Sequence, residues 1–149
     1  MVGLPNVIQY LTDFKVPQDE HHRFGQFEVV TGYMPREFDT FWTLNVKSRR
    51  ADEPLRNLSP VPAGEQPLPV IASTTDRAYA MGVYCPKLPQ TTYASAGYGR
   101  FHFPDVVKWN AVFRITQPPL DNHFECYLAV GDLETVRRSL LALGVLIPK

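Results

Sequence analysis

The chain has 149 residues, 44% of them hydrophobic, and its 15 basic and 15 acidic side chains cancel. That length lets one core bury about 68–70% of the unfolded surface, so no metal or disulfide staple is required. With a pI near 6.9 there is no net field to hold polyanions or anionic lipid, and no run of about 18 apolar residues exists to span a bilayer, so nucleic acid and membrane are not expected partners.

Residues 7–16 alternate, with Ile8, Tyr10, Thr12, Phe14 and Val16 on one face and Gln9, Asp13 and Lys15 on the other, which is the period of a half-buried strand. Pro17 ends it. A polar loop through His21 and His22 leads to a second strand over 24–34, where Phe27, Val29, Thr31 and Tyr33 alternate with Gln26, Glu28 and Val30, and Pro35 closes it. A third strand is predicted over 39–46, with Trp42, Leu44 and Val46 opposite Phe41, Thr43 and Asn45. Residues 47–67 combine the mixed-charge stretch Lys47 to Glu53 with four prolines and read as a long surface loop without regular structure. Segments 68–74 and 78–85 suit a hairpin closed around Asp76 and Arg77.

A second irregular segment, 86–95, precedes a short strand from Gly97 to Phe103. Residues 106–115 give the cleanest alternation, with Val107, Trp109, Ala111, Phe113 and Ile115 against Lys108, Asn110 and Arg114. After Gln117-Pro118-Pro119-Leu120-Asp121-Asn122, the residues Phe124, Cys126, Leu128 and Val130 form an apolar face and His123, Glu125 and Tyr127 a polar one. These last two strands are expected to pair across that turn. Asp132 is a candidate N-cap for a helix in which Leu133, Val136, Leu140 and Leu143 recur at helical spacing, with Gly144 placed to stop it. Seven or eight short strands, proline-rich turns and one terminal helix predict a mainly β fold, an antiparallel β-sandwich with one C-terminal helix, as a single domain over residues 1–149.

Cys85 and Cys126 both fall in predicted strands; one bridge and two buried thiols stay open, because the Cα separation is not readable from spacing. No CxxC, HxH or HExxH spacing occurs, so neither a metal nor another cofactor is expected. If the last two strands pair, Lys108, Asn110, Arg114, Glu125 and Tyr127 share one outward face, where amides, charges and an aromatic ring suit a carbohydrate or another small polar ligand. The ordinary alternative is a solvated sheet face with Arg114 and Glu125 serving strand pairing. Tyr93, Tyr98 and Arg100 lie in glycine-flanked sequence and form a second candidate binding loop. For catalysis the candidates are His102 or His123 with Glu125 or Glu28 as an acid and base pair around a sugar. No nucleophile elbow is present.

The segments 65–71, 80–84, 97–101, 108–114 and 130–137 resemble the C-terminal part of uncharacterised β-rich bacterial proteins related to the sandwich folds of sugar mutarotases and polysaccharide-processing enzymes. The likeness covers about the last half of the chain and contains no catalytic motif, so no site residue carries over. It implies carbohydrate biology, and a chain that is one section of a larger parent. Three functions are therefore weighed: a carbohydrate-binding domain, a sugar-active epimerase or hydrolase, and a structural module packing on a partner domain or a second copy. The chain reads as soluble, and its compartment is left open.

Overall fold

Period-two alternation shapes most of the chain. The computed structural model describes residues 3–48, 50–59, 61–87 and 97–147. Among these lie ten strands and a helix: β1 Val7–Lys15, β2 Phe24–Pro35, β3 Thr40–Thr43, β4 Arg56–Asn57, β5 Gly64–Gln66, β6 Val70–Ser73, β7 Ala80–Tyr84, β8 Tyr98–His102, β9 Val106–Thr116, β10 Asp121–Gly131 and α1 Leu133–Leu146. They form two antiparallel sheets, one of six strands ordered β1-β10-β7-β6-β3-β4 and one of four ordered β2-β9-β8-β5, in the sandwich arrangement that the alternation predicts. The loop expected over 47–67 holds β4 and β5, whose two and three residues are too short to show a period. No helix among the described residues is long and apolar enough to cross a membrane.

One expectation fails at the level of topology. β9 and β10 do not pair; β9 lies between β2 and β8 in the smaller sheet, and β10 between β1 and β7 in the larger. Pro118 and Pro119 cannot donate to a ladder, and Gln117 takes a left-handed φ of 50°, so the connection turns from one sheet into the other instead of folding back as a hairpin. The apolar faces of the two strands consequently meet across the interior, with the Phe113 and Phe124 ring centroids 4.7 Å apart. Around that contact pack Phe41, Val70, Val83, Tyr98, Val107, Trp109, Ala111 and Cys126, all buried.

The register of β2 also departs from simple alternation. Glu28 faces Val112 and Val30 faces Ala111, which leaves Val29 as an extra bulged residue. Both valines are buried, and beyond the bulge the phase flips: Thr31 and Tyr33 stand opposite Asn110 and Lys108 on the outer face. Gly32 is required there because a Cβ at that position would run into the Trp109 indole.

Cys85 and Cys126 form a disulfide between neighbouring strands of the larger sheet, with Cα atoms 4.2 Å apart. The Val130 N–H donates to the Asn6 carbonyl, so even-numbered residues of β10 bond toward β1 and odd-numbered ones toward β7. Cys126 therefore faces Cys85 in a non-hydrogen-bonded pair, the closer of the two kinds, where a bridge fits without backbone movement. The outward N–H and C=O of Cys85 find no strand partner, because β6 begins only at Val70. The Tyr98 hydroxyl replaces that partner, accepting from the Cys85 N–H at 2.9 Å and donating to the Cys85 carbonyl at 3.1 Å.

On the far side of the larger sheet, α1 buries Leu133, Val136, Leu140 and Leu143 against Trp42, Leu44, Ile71, Ala80 and Ala129. Its start matches the expectation, since the Asp132 side chain accepts from the Thr135 N–H at 2.7 Å. Its end does not: the helix continues past Gly144 to Leu146, and the glycine serves close packing, with the Val46 carbonyl pressed where a Cβ would stand.

Replacing both Cys85 and Cys126 with alanine is expected to cost about 2–4 kcal/mol through the loop that the bridge closes. Urea unfolding with and without reductant checks it, and an unmoved midpoint contradicts it. Gly144→Ala sets a gain of about 1 kcal/mol in helix propensity against a backbone collision worth about 1–3 kcal/mol. Net destabilisation is the expected outcome by the same measurement, whereas stabilisation would mean that α1 does not dock as described.

Candidate functional site

The five residues predicted to share one outward face are divided by the sandwich interior. Lys108, Asn110 and Arg114 stand on the outer face of the smaller sheet; Glu125 and Tyr127 stand on the outer face of the larger. The reason is the sheet-to-sheet course of the β9–β10 connection. Within each face the charged groups are already engaged. Arg114 grips Glu65 through both terminal nitrogens at 2.5 and 2.6 Å and donates from Nε to Gln26 at 2.8 Å. Lys108 donates to Glu28 at 2.9 Å, and Asn110 donates to the same carboxylate oxygen. Burial alone would raise the Glu28 pKa, but the bonds from Lys108 and Asn110 outweigh it and leave the carboxyl below its ordinary value.

On the larger sheet the Tyr127 hydroxyl donates to Glu125 at 2.5 Å, and Gln9 donates to the same oxygen at 2.7 Å. Burial and the neighbouring Glu125 carboxylate push the Tyr127 phenol up to about 12. Tyr98, expected as an exposed platform, is fully buried, because β8 turns it inward to Cys85, and burial pushes its pKa far up. Arg100 is likewise inward and buried, its guanidinium donating to the carbonyls of Val61 at 3.3 Å, Pro62 at 2.9 Å and Gly64 at 3.4 Å, so it clamps a loop instead of facing a ligand. Tyr93 lies outside the described residues.

Of the candidate acid and base groups, His123 and Glu125 share the outer face of β10 two residues apart, whereas His102 and Glu28 stand on the smaller sheet. The His102 ring bonds the Asp39 carbonyl at 2.9 Å and packs edge-on against Phe41. His123 pairs with Asp13 at 2.5 Å on the larger sheet, in the neighbourhood of neither His102 nor Glu28. Glu125 and Glu28 are held by the partners named above. Among the described residues no three His, Cys, Asp or Glu side chains converge as metal ligands.

A roomy open cleft lies elsewhere, at one end of the sandwich. It encloses about 720 Å³ between the turn 35–39 and the hairpin loop 74–79. Strand register explains why these turns meet: Thr40 of β3 stands opposite Ser73 of β6, so Asp39 and Thr74 leave the ladder side by side. The loop needs a left-handed residue, and Arg77 supplies it at φ 64°. Arg77 is held there by its position over the Trp42 ring, 5.1 Å from the centroid, and by its carbonyl accepting from the Leu133 N–H.

The cleft's two aspartates are braced on one side. Asp39 Oδ1 accepts from Thr40 at 2.9 Å and from Thr75 at 3.1 Å; Asp76 Oδ1 accepts from Thr74 at 2.5 Å and from the Ala78 N–H at 3.0 Å. The bond from Thr74, and then that from Ala78, hold the Asp76 carboxyl below the usual aspartate range. Oδ2 of each aspartate has no partner among the described residues, and neither does the exposed guanidinium of Arg36. Tyr79 forms one wall with 66% of its surface exposed. The cleft thus offers two carboxylate acceptors, a guanidinium donor, threonine hydroxyls and an open aromatic face. Sequence reasoning missed it because its residues come from two turns; the available signal was a six-residue hairpin loop carrying Thr, Asp, Arg and Tyr where two residues would suffice.

Comparison with protein-family models, curated proteins and solved structures finds no match to this chain.

The lowered Glu28 pKa gives a signed pH effect. Its stabilising contribution is fully present above the unfolded glutamate pKa and is lost as pH falls through the lower folded value. The melting temperature should therefore drop between about pH 5 and pH 3, and Glu28→Gln should flatten part of that drop while lowering stability at neutral pH. Identical pH profiles for the two proteins would contradict the pairing.

Proposed function

We propose that this domain binds carbohydrate without transforming it, and that the ligand sits in the cleft between residues 35–39 and 74–79. What carries the reading is the exposed Tyr79 ring beside partner-free carboxylate oxygens of Asp39 and Asp76 in a cleft of about 720 Å³. A pyranose presents an apolar C–H patch to an aromatic face and hydroxyls around its rim. Those hydroxyls donate to ionised carboxylates and accept from a guanidinium, which is the set that Asp39, Asp76 and Arg36 supply. The volume is within the range of small-ligand sites, about 300–1,000 Å³. Binding without turnover is the better reading because His102 and His123 lie outside the cleft lining and are engaged with other partners. The outer face of the smaller sheet is the weaker location, since the Arg114 and Lys108 charges are already neutralised by Glu65 and Glu28.

Glycan-array screening followed by calorimetry on the strongest hit tests this. Tyr79→Ala and Asp76→Asn should each weaken binding about tenfold or more with the fold intact, while Arg114→Ala should leave affinity unchanged. Absence of binding to every glycan, or binding that survives Tyr79→Ala with Asp76→Asn, overturns the proposal.

A further inference from the structure

The larger sheet ends on β1, nine residues in unbroken register with β10 and with no strand on its outer edge among the described residues. The Val16 N–H donates to the Leu120 carbonyl and the Val130 N–H to the Asn6 carbonyl. Antiparallel alternation then directs the backbone groups of residues 8, 10, 12 and 14 into β10 and those of Gln9, Leu11, Asp13 and Lys15 outward. Protein edges are usually blunted by proline, a bulge, inward charge or shortness. β1 has no proline, no bulge and a single terminal lysine.

Its side chains are also those of an unfinished layer. Ile8, Tyr10 and Phe14 point to the interior side of the sheet, yet Ile8 is 53% and Tyr10 44% exposed. β2 covers only the far part of the strand, where Thr12 donates to the Val29 carbonyl and Phe14 packs on Phe27. On the opposite face Leu11 is 67% exposed.

We propose that the free edge of β1 pairs antiparallel with β1 of a second copy, about a two-fold axis through Leu11. The outward amides and carbonyls of Gln9, Leu11 and Asp13 then meet their complements, with Leu11 facing Leu11 and Gln9 facing Asp13, while Val7, whose N–H already donates to the Leu4 carbonyl, faces Lys15. On the interior side Ile8 of one copy faces Phe14 of the other, and Tyr10 faces Thr12. No like charges confront each other, and all nine residues are used. A shift of the axis by one residue either way, to Tyr10 or Thr12, shortens the overlap and sets Asp13 against Val7 or Leu11, so this register is favoured. The pairing joins two six-stranded sheets into one and covers Ile8 and Phe14, which a single copy leaves open.

Sedimentation velocity of the 149-residue chain at about 100 μM should give twice the 16.9 kDa mass of one copy. Leu11→Pro removes an outward N–H while leaving the bonds to β10 in place, so it should yield a folded monomer. Leu11→Lys retains the backbone and opposes two ammonium groups at the axis; it should weaken association at least about tenfold. Under mild oxidation Leu11→Cys should cross-link readily and Gln9→Cys should not, since only residue 11 meets itself. A monomer at that concentration overturns the proposal, whether because a further segment of chain or a different protein takes the edge. A dimer that persists in folded Leu11→Lys, or cross-linking through Gln9→Cys in preference to Leu11→Cys, overturns it equally.

Discussion

The structure depends on one junction where sheet, bridge and ring meet. Cys85 is covalently tied to Cys126 within the larger sheet, and its backbone, left without a strand by the late start of β6, is completed by the Tyr98 hydroxyl from the smaller sheet. A buried peptide group without a partner would cost about 1–3 kcal/mol, so the phenol satisfies the Cys85 backbone and pins the two sheets in register at once. Phe113 against Phe124 carries the apolar contact beside it. An aromatic residue in glycine-rich sequence is thereby used for interior hydrogen bonding instead of recognition.

From that junction follows the placement of the polar groups. With the interior facing Cys85 and Phe113, the polar residues of β9 and β10 fall on the outer faces, where they pair: Arg114 with Glu65, Lys108 with Glu28, Tyr127 with Glu125, while α1 covers the apolar part of the larger sheet's outer face. These half-buried contacts engage the charges of Arg114 and Lys108 and the Tyr127 hydroxyl within the sheet faces. The turns at the end of the sandwich have no facing strand to pair with. There Asp39 and Asp76 are braced by threonines on one oxygen only, which positions them without exhausting their capacity to accept.

Much of the local structure is legible in single residues. Trp42 and Phe41 separate to the helix side and the interior side as their alternation demands, Asp132 caps α1, and the apolar face of β9 is buried from Val107 to Phe113. What is not legible is where a period is interrupted or shared. Val29 is a bulge in a run that looks continuous, and Gly144 resembles a stop signal although it marks contact with Val46. The cleft is the extreme case, since it is assembled by the Thr40–Ser73 register from turns that show no pattern of their own.

Alternation, caps and proline positions by themselves determined that this chain forms antiparallel strands with a terminal amphipathic helix, because those signals act over a few residues and reflect side-chain direction alone. The tertiary structure alone decided that β9 and β10 belong to different sheets, that Cys85 and Cys126 bond, and that Arg114 and Glu125 never meet. An apolar face can be buried equally well by a neighbour within its own layer or by the layer opposite. Local chemistry is the same in both cases, and only the packing of the whole interior chooses between them.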